Sequence, residues 1–301
     1  MQKKFKELME ILVGRPLGVK ISDEIGALQN DCLNWQKNPS EDKRLVVAAK
    51  TGYEPCPFNY SGGSKLAKLA MIGINPGKPL EDWLPLDENT TWKKIAEFYA
   101  PSKGINNNDN AYYKISKGKI QSKFYKDTFL IHQALIIGGD KVYDDFDRAI
   151  SSYGSEVNIE REFIEQFDKY PVFNSDLIPY KSKRAGIDWN AMKRSSKYRK
   201  YLNSLIELML NKTDKGAYVI FYGARDDVRE LLSIAAEDYF PSNIWRWYML
   251  ENPQNKDKKT DIYLAHWRDE RIVALIPSRA RTLIYNITEL AAKIKEFRLE
   301  K

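Results

Sequence analysis

Apolar residues follow two rhythms along this chain, and the alternation between them predicts an α/β layer structure. Short, nearly unbroken apolar runs read as strands buried on both faces: Leu69 to Ile74, Pro171 to Asn174, Ala217 to Tyr222 and Ile272 to Ile276. Between them, apolar positions recur every third or fourth residue over 127–137, 159–168, 196–210, 225–236 and 288–297, the spacing of amphipathic helices. Each strand ends in a polar, Gly or Pro-containing turn, so four loops are expected at one edge of a parallel sheet. The expectation is a three-layer α/β/α fold around a central four-stranded parallel sheet. A further strand is predicted from Asp261 to Trp267, after the polar loop 251–260.

Ahead of this core, helices are predicted near 3–12 and 25–35, with Gly62-Gly63 as a hinge. Residues 1–63 therefore read as a helical extension packed on a core domain of residues 64–301. No internal repeat is visible, and Lys103 to Asn110 is a flexible turn cluster.

Composition narrows the classes. Among 301 residues no apolar run approaches the roughly 18 needed to span a bilayer, so a membrane partner is not expected. The basic start, Met1 to Lys6, lacks a following apolar stretch, and Cys32 and Cys56 are too few for a disulfide framework, which together predict a cytoplasmic chain. The formal charge of +7 favours a polyanionic partner. Two segments, 114–126 and 181–200, interleave Lys and Arg with aromatic residues and Ser, a mixture that neutralises phosphates and offers rings to bases. Within the second, Lys193, Arg194 and Lys197 are the candidate phosphate contacts. The alternative for each segment is a solvated surface.

The first strand runs into Gly73-Ile74-Asn75-Pro76-Gly77, a turn that holds one uncharged polar side chain. This pentapeptide, after a buried strand, resembles the first motif of the uracil-DNA glycosylase superfamily in its Gly-x-Asn-Pro-Gly form, that of the mismatch-specific and single-strand-selective branches. The resemblance implies that Asn75 positions the water that attacks C1′, that Gly73 and Gly77 permit close backbone approach and Pro76 shapes the turn, and that Lys78 beside it meets DNA. The last core strand ends in Ile276-Pro277-Ser278-Arg279-Ala280-Arg281, similar to the superfamily's closing His-Pro-Ser or Asn-Pro-Ser motif. Pro277 and Ser278 match the phosphate-pinching part, with Arg279 and Arg281 as further DNA contacts. Ile276 departs from the motif, because it cannot donate a hydrogen bond to a pyrimidine O2.

The segment Val172 to Tyr180 is similar to the superfamily's middle strand, where a polar residue reads the edge of the extruded base. Two registers are open, with Asn174 or Asp176 as reader. Asn offers a donor and an acceptor, as uracil needs, whereas an ionised Asp only accepts and suits a cytosine N4 amine. Residues 217–224 are similar to the superfamily's strand before a Gly-x-x-Ala helix start and carry scaffold alone. About 81–170 has no counterpart and reads as an insertion.

The resemblance therefore implies a uracil-DNA glycosylase-like fold, DNA as partner and no metal or organic cofactor. Two cysteines also exclude the iron–sulfur branches. The expected activity is a monofunctional DNA glycosylase that flips out uracil or, given Ile276 and Asp176, a modified base such as a cytosine derivative, with anti-phage defence as one setting. The alternatives are an ordinary uracil repair enzyme and a nucleic-acid-binding protein that kept the fold and lost chemistry. His266 is a candidate to replace the missing motif His, while His132 reads as a packed or surface residue. Trp83, Trp92, Trp245 and Trp247 are either stacking platforms or core anchors.

Overall fold

The computed structural model describes residues 58–60, 66–74, 115–116, 119–120, 123–139, 142–154, 162, 166, 169–178, 187–252, 255, 257–278 and 285–300. In chain order the described elements are β1 (Phe58–Tyr60), β2 (Ala67–Gly73), β3 (Ile115–Ser116), β4 (Lys119–Ile120), α1 (Lys123–His132) and α2 (Phe146–Tyr153). They continue as β5 (Val172–Asp176), α3 (Trp189–Arg194), α4 (Ser196–Lys212), β6 (Thr213–Tyr222), α5 (Arg225–Ala235), β7 (Arg246–Glu251), β8 (Lys259–Trp267), β9 (Arg271–Ile276) and α6 (Ile287–Leu299).

The main sheet has seven strands in the order β1-β5-β2-β6-β9-β8-β7. Its middle is parallel from β5 through β2 and β6 to β9, the four strands predicted from their apolar runs. The four-stranded sheet expected from sequence is thus enlarged by antiparallel strands on both sides, β1 against β5 and the β8–β7 pair beyond β9. β3 and β4 form a separate two-stranded ribbon.

Strand alternation assigns each apolar run to two layers. On one face Ala70, Ile72, Phe173, Val219, Phe221, Val273 and Leu275 pack with Met192 of α3, Tyr198, Tyr201 and Leu205 of α4, and Val228 and Leu231 of α5. On the other, Leu69, Met71, Val172, Tyr218, Ile220, Tyr222, Ile272, Ala274 and Ile276 pack with Phe129 of α1, Phe146 of α2, and Leu290 and Ile294 of α6. Helices therefore cover both faces, as the continuous apolar runs require.

Local chemistry sets the helix ends. Asp145, Asp188 and Ser195 cap α2, α3 and α4, each accepting from backbone N–H groups of the first turn. α1 begins four residues ahead of the predicted 127 and passes into a π-helical turn over Gln133–Ile137, closed by Gly138 at φ 69°. At the bottom of the sheet Arg271 is buried, and its guanidinium donates to Thr213, Leu210 and Arg268 oxygens and pairs with Asp269 at 2.8 Å.

β7 was not predicted. It is an edge strand whose side chains are mostly exposed, with Trp247 52% accessible, so it lacks the apolar run of its neighbours. Of the predicted extension 1–63 only β1 is described, and it pairs with β5 in the main sheet; the greater part of the 81–170 insertion and of the predicted helix 159–168 lies outside the described residues. No described helix is long and apolar enough to cross a membrane.

Phe240 is fully buried, stacked on Trp267 at 4.7 Å between ring centres and edge-on to Phe221 at 5.9 Å. Phe240→Ala is expected to cost about 3–5 kcal/mol of unfolding free energy by opening a cavity there. Chemical denaturation of the two proteins side by side measures it.

Candidate functional site

Chain order locates the crevice. From β2 the chain crosses to β5 on one side, and from β6 it crosses to β9 on the other, so the direction of winding reverses between β2 and β6. Ligands in open α/β sheets bind outside the carboxyl ends of the strands at such a reversal. Here those ends are Gly73-Ile74 and Tyr222-Gly223.

Register aligns four residues there on the α1 side of the sheet. Gly73 lies opposite Asp176, and Tyr222 lies opposite Ile276. Ile72 pairs with Phe221, so the next step sets Gly73 beside Tyr222. The row is Asp176, Gly73, Tyr222, Ile276, and three strand spacings make it about 14 Å long.

Gly73 is needed because of Asp176. A Cβ on Gly73 would stand 2.3 Å from Asp176 Oδ1 and 3.6 Å from the Phe124 ring. The carboxyl therefore lies across bare backbone, with the aromatic ring of α1 on its far side. The turn that holds it is tied down by Leu177 N–H to Gly73 O at 2.9 Å and Ile178 N–H to Ile74 O at 2.8 Å. From the opposite layer, Tyr201 Oη donates to Asp176 O at 3.2 Å and Tyr198 Oη to Leu177 O at 3.1 Å.

Among the described residues the Asp176 carboxyl has no hydrogen-bond or ion-pair partner. A little of the residue remains accessible, yet the surrounding protein atoms strip water from the carboxyl and push its pKa up to about 7. A desolvated, unpartnered carboxyl at the ligand-binding edge of a sheet is the arrangement expected of a functional group.

Beside it, Phe124 meets Tyr222 edge to face with 5.7 Å between ring centres, and Tyr222 Oη donates to the buried Asp127 carboxylate. Phe124, Asp127 and Tyr222 form the wall opposite Asp176. None was singled out from sequence: Tyr222 reads as strand core, and its carboxylate partner is 95 positions away.

The two candidate readers differ in depth. Asn174 pairs with Met71, one row further from the edge, and is 2% exposed. At the other end of the row, Ile276 is fully buried in the α1 and α6 layer, its carbonyl accepting from Gly223 N–H at 2.9 Å. Pro277 and Ser278 follow as partly exposed coil, and Pro277 O accepts from Tyr285 Oη at 3.0 Å. Pro277 also borders an open cleft of about 390 Å³ beside the start of α5, shared with Arg225, Lys259 and Asp261. Arg225 is held there by Asp261 at 3.0 Å.

The second basic segment is divided. Lys193 is 4% exposed and pairs with Glu230 at 2.6 Å, so its charge is neutralised inside the protein and it is withdrawn from the phosphate contacts expected of it. Arg194 and Lys197 are exposed, as are Arg199 and Lys200. Asn75, Pro76, Gly77, Lys78, Arg279, Arg281, Trp83 and Trp92 lie outside the described residues.

Neither histidine reaches the row. His266 pairs with Ile272 at the amino end of β9, stacks on Phe297 at 4.4 Å and bonds Glu300 O at 2.8 Å, so it cannot stand in for a motif histidine after Ile276. His132 is buried near the amino end of β5, where desolvation lowers its pKa to about 4 against the opposing pull of the Tyr170 carbonyl, to which Nε2 donates at 2.9 Å. Trp245 is stacked on Phe240, and Trp247 stands on the far edge strand, so both are removed from the row. Among the described residues no three potential metal ligands cluster. No family model, curated protein or solved structure matches this chain.

The geometry fixes the sign of a stability effect. Because Asp176 has a raised folded pKa, its neutral form is compatible with folding, and stability is lost as pH rises from the ordinary carboxylate value through about 7. Asp176→Asn is therefore expected to match wild type near pH 4, to gain progressively up to pH 7 and to hold a gain on the order of 2–4 kcal/mol above it. Gly73→Ala is expected to displace the carboxyl towards water and erase most of that pH-dependent gain. Melting temperatures at pH 4, 6 and 8 read both, and an Asp176→Asn gain independent of pH would count against the desolvated carboxyl.

Proposed function

We propose that this protein is a monofunctional DNA glycosylase, which extrudes a pyrimidine nucleotide and hydrolyses its N-glycosidic bond to leave an abasic site. The observation that carries this reading is the Asp176 carboxyl over Gly73 at the carboxyl ends of the parallel strands, next to the Gly-Ile-Asn-Pro-Gly turn. A ligand with a hydrogen-bonding edge suits that carboxyl.

An extruded nucleotide offers such an edge at one end and a phosphate at the other. With its base at Asp176, its backbone runs towards Pro277 and Ser278 within the roughly 14 Å of the row. Unstacking costs a few kcal/mol and is offset by ring contacts, edge hydrogen bonds and phosphate contacts. Arg194 and Lys197, exposed on the elements tied to the Asp176 turn, supply cations for the flanking backbone.

In the proposed reaction Asn75 orients a water molecule towards C1′. The new C1′–O bond forms as the C1′–N1 bond breaks, its electron pair leaves on the base, and the proton given up by water balances that charge. Gly73 leaves room for the Asp176 carboxyl beside the base. Ile276 contributes no donor to the base O2, so charge on the departing base must be met elsewhere, which weighs against ordinary uracil excision.

Asp176 is favoured over Asn174 as the base reader because it stands at the edge row while Asn174 is sealed one row deeper. Its raised pKa makes the reading depend on pH. The carboxylate only accepts, which suits the N4 amine of cytosine or a cytosine derivative, whereas the protonated acid can donate to a uracil O4. Modified cytosines in invading DNA are a substrate class consistent with this preference.

Single-turnover abasic-site formation on duplexes carrying uracil, cytosine or 5-substituted cytosines tests the reading. The ratio of cytosine-type to uracil-type excision is expected to rise as pH increases through about 7. Asn75→Ala is expected to lower excision by about 10²-fold while DNA affinity changes little. DNA binding with no abasic sites on any of these substrates would instead identify a binding protein without chemistry.

A further inference from the structure

The Asp176 turn is held from below by α4, and that contact joins two functions. Tyr198 and Tyr201 are fully buried on the inner side of α4 and direct their hydroxyls to the carbonyls of Leu177 and Asp176. On the same two turns of helix, Lys197, Arg199 and Lys200 are exposed, and Arg199 Nε also donates to Lys193 O at 3.1 Å, fixing α3 to α4. Helical geometry thus turns tyrosines inward and cations outward over five residues.

Resting on the glycosylase reading above, we propose that Tyr201 is a positioning residue whose hydroxyl holds the Asp176 carboxyl over Gly73 and couples base reading to the cationic outer face of α4. The bond goes to the reader's own carbonyl, so it sets the backbone from which the carboxyl projects. The two backbone bonds from Leu177 and Ile178 to β2 fix the turn only on its far side. The Leu177 N–H bonded to Gly73 O belongs to the same planar peptide as the Asp176 carbonyl, so the hydroxyl completes a two-ended clamp; without it, the peptide tilts on the remaining bond and carries the carboxyl away from Gly73 towards water. A phosphate drawn to Lys197 or Lys200 bears on the same helix, so contact with the DNA backbone and alignment of the reader are mechanically joined.

Among the described residues of the elements packed round Asp176, Lys126 of α1 lies over the Phe146 ring, His132 bonds the Tyr170 carbonyl and Glu207 of α4 accepts from Tyr239. Asp127 of α1 and Tyr222 of β6 are bonded to each other, and Tyr198 and Tyr201 belong to α4. The α4 cations lie on its solvent side.

Tyr201→Phe removes the hydroxyl and keeps the ring, so the packing of α4 is retained. Thermal melts of wild type, Asp176→Asn, Tyr201→Phe and the double variant at pH 5 and pH 8 provide a readout independent of activity. The extra stability that Asp176→Asn confers at pH 8 is expected to shrink by at least half in the Tyr201→Phe background, since the carboxyl there relaxes into water. Tyr285→Phe, which loses a similar bond at the opposite end of the row, is expected to leave it intact. On DNA, Tyr201→Phe should lower single-turnover excision about tenfold with affinity within twofold, the loss of one aligned hydrogen bond. A Tyr201→Phe background that retains the full gain, or one in which Tyr285→Phe reduces it equally, overturns the positioning role. An Asp176→Asn gain that is absent with and without Tyr201 overturns the reading of Asp176, and the coupling with it.

Discussion

A carboxyl laid over the bare backbone of one glycine is the constraint on which the rest of the site depends. Asp176 and Gly73 face each other across two parallel strands, and any side chain at Gly73 would occupy the space of Asp176 Oδ1. The carboxyl then has little water and no described partner, a state that an apolar residue would relieve. That cost is borne at the one place in the sheet where winding reverses and a ligand has access. By contrast, the buried cations have partners: Arg271 has its ring of oxygens, and Lys193 has Glu230.

The surrounding layers make the strained position affordable. Both sheet faces are closed by long apolar clusters, and burial at about 25 cal/mol per Å² over so many side chains outweighs one desolvated carboxyl. The two layers also act on the site in different ways. α1 supplies the wall, through Phe124 and the Asp127–Tyr222 bond, while α4 supplies the anchor, through Tyr198 and Tyr201. Opposite faces of one sheet thus meet at a single turn.

Much of this was legible in the sequence, for a physical reason. Strands buried on both faces must be continuously apolar, so β2, β5, β6 and β9 announced themselves, and the turn residues after them marked the carboxyl edge of the sheet. β7 did not, because an edge strand with Trp247 and Met249 exposed has no such run. Asn174 and Asp176 were indistinguishable as readers, since positions two apart share a face; only pairing with Met71 and Gly73 reveals their different depths. The basic segment misled at Lys193 because a string of cations does not reveal which one a helix turns inward. The wall was invisible, since it joins α1 to β6 across 95 positions of sequence.

In the proposed function the raised pKa of Asp176 links stability to recognition. Below about pH 7 the protein holds a neutral acid that folding tolerates and that can donate a proton; above it, the same group becomes a pure acceptor at a cost in stability. A ligand bearing an amine opposite the carboxylate would return part of that cost on binding, because it supplies the missing hydrogen-bond donors. A carbonyl ligand would return it only when the acid keeps its proton. If Asp176 reads the base as proposed, a preference for an amine-bearing base is strongest under the conditions in which the free protein is least stable. On the proposed reading, binding energy comes from relieving a group the fold has left unsatisfied, and this would tie affinity to the chemical identity of the base edge.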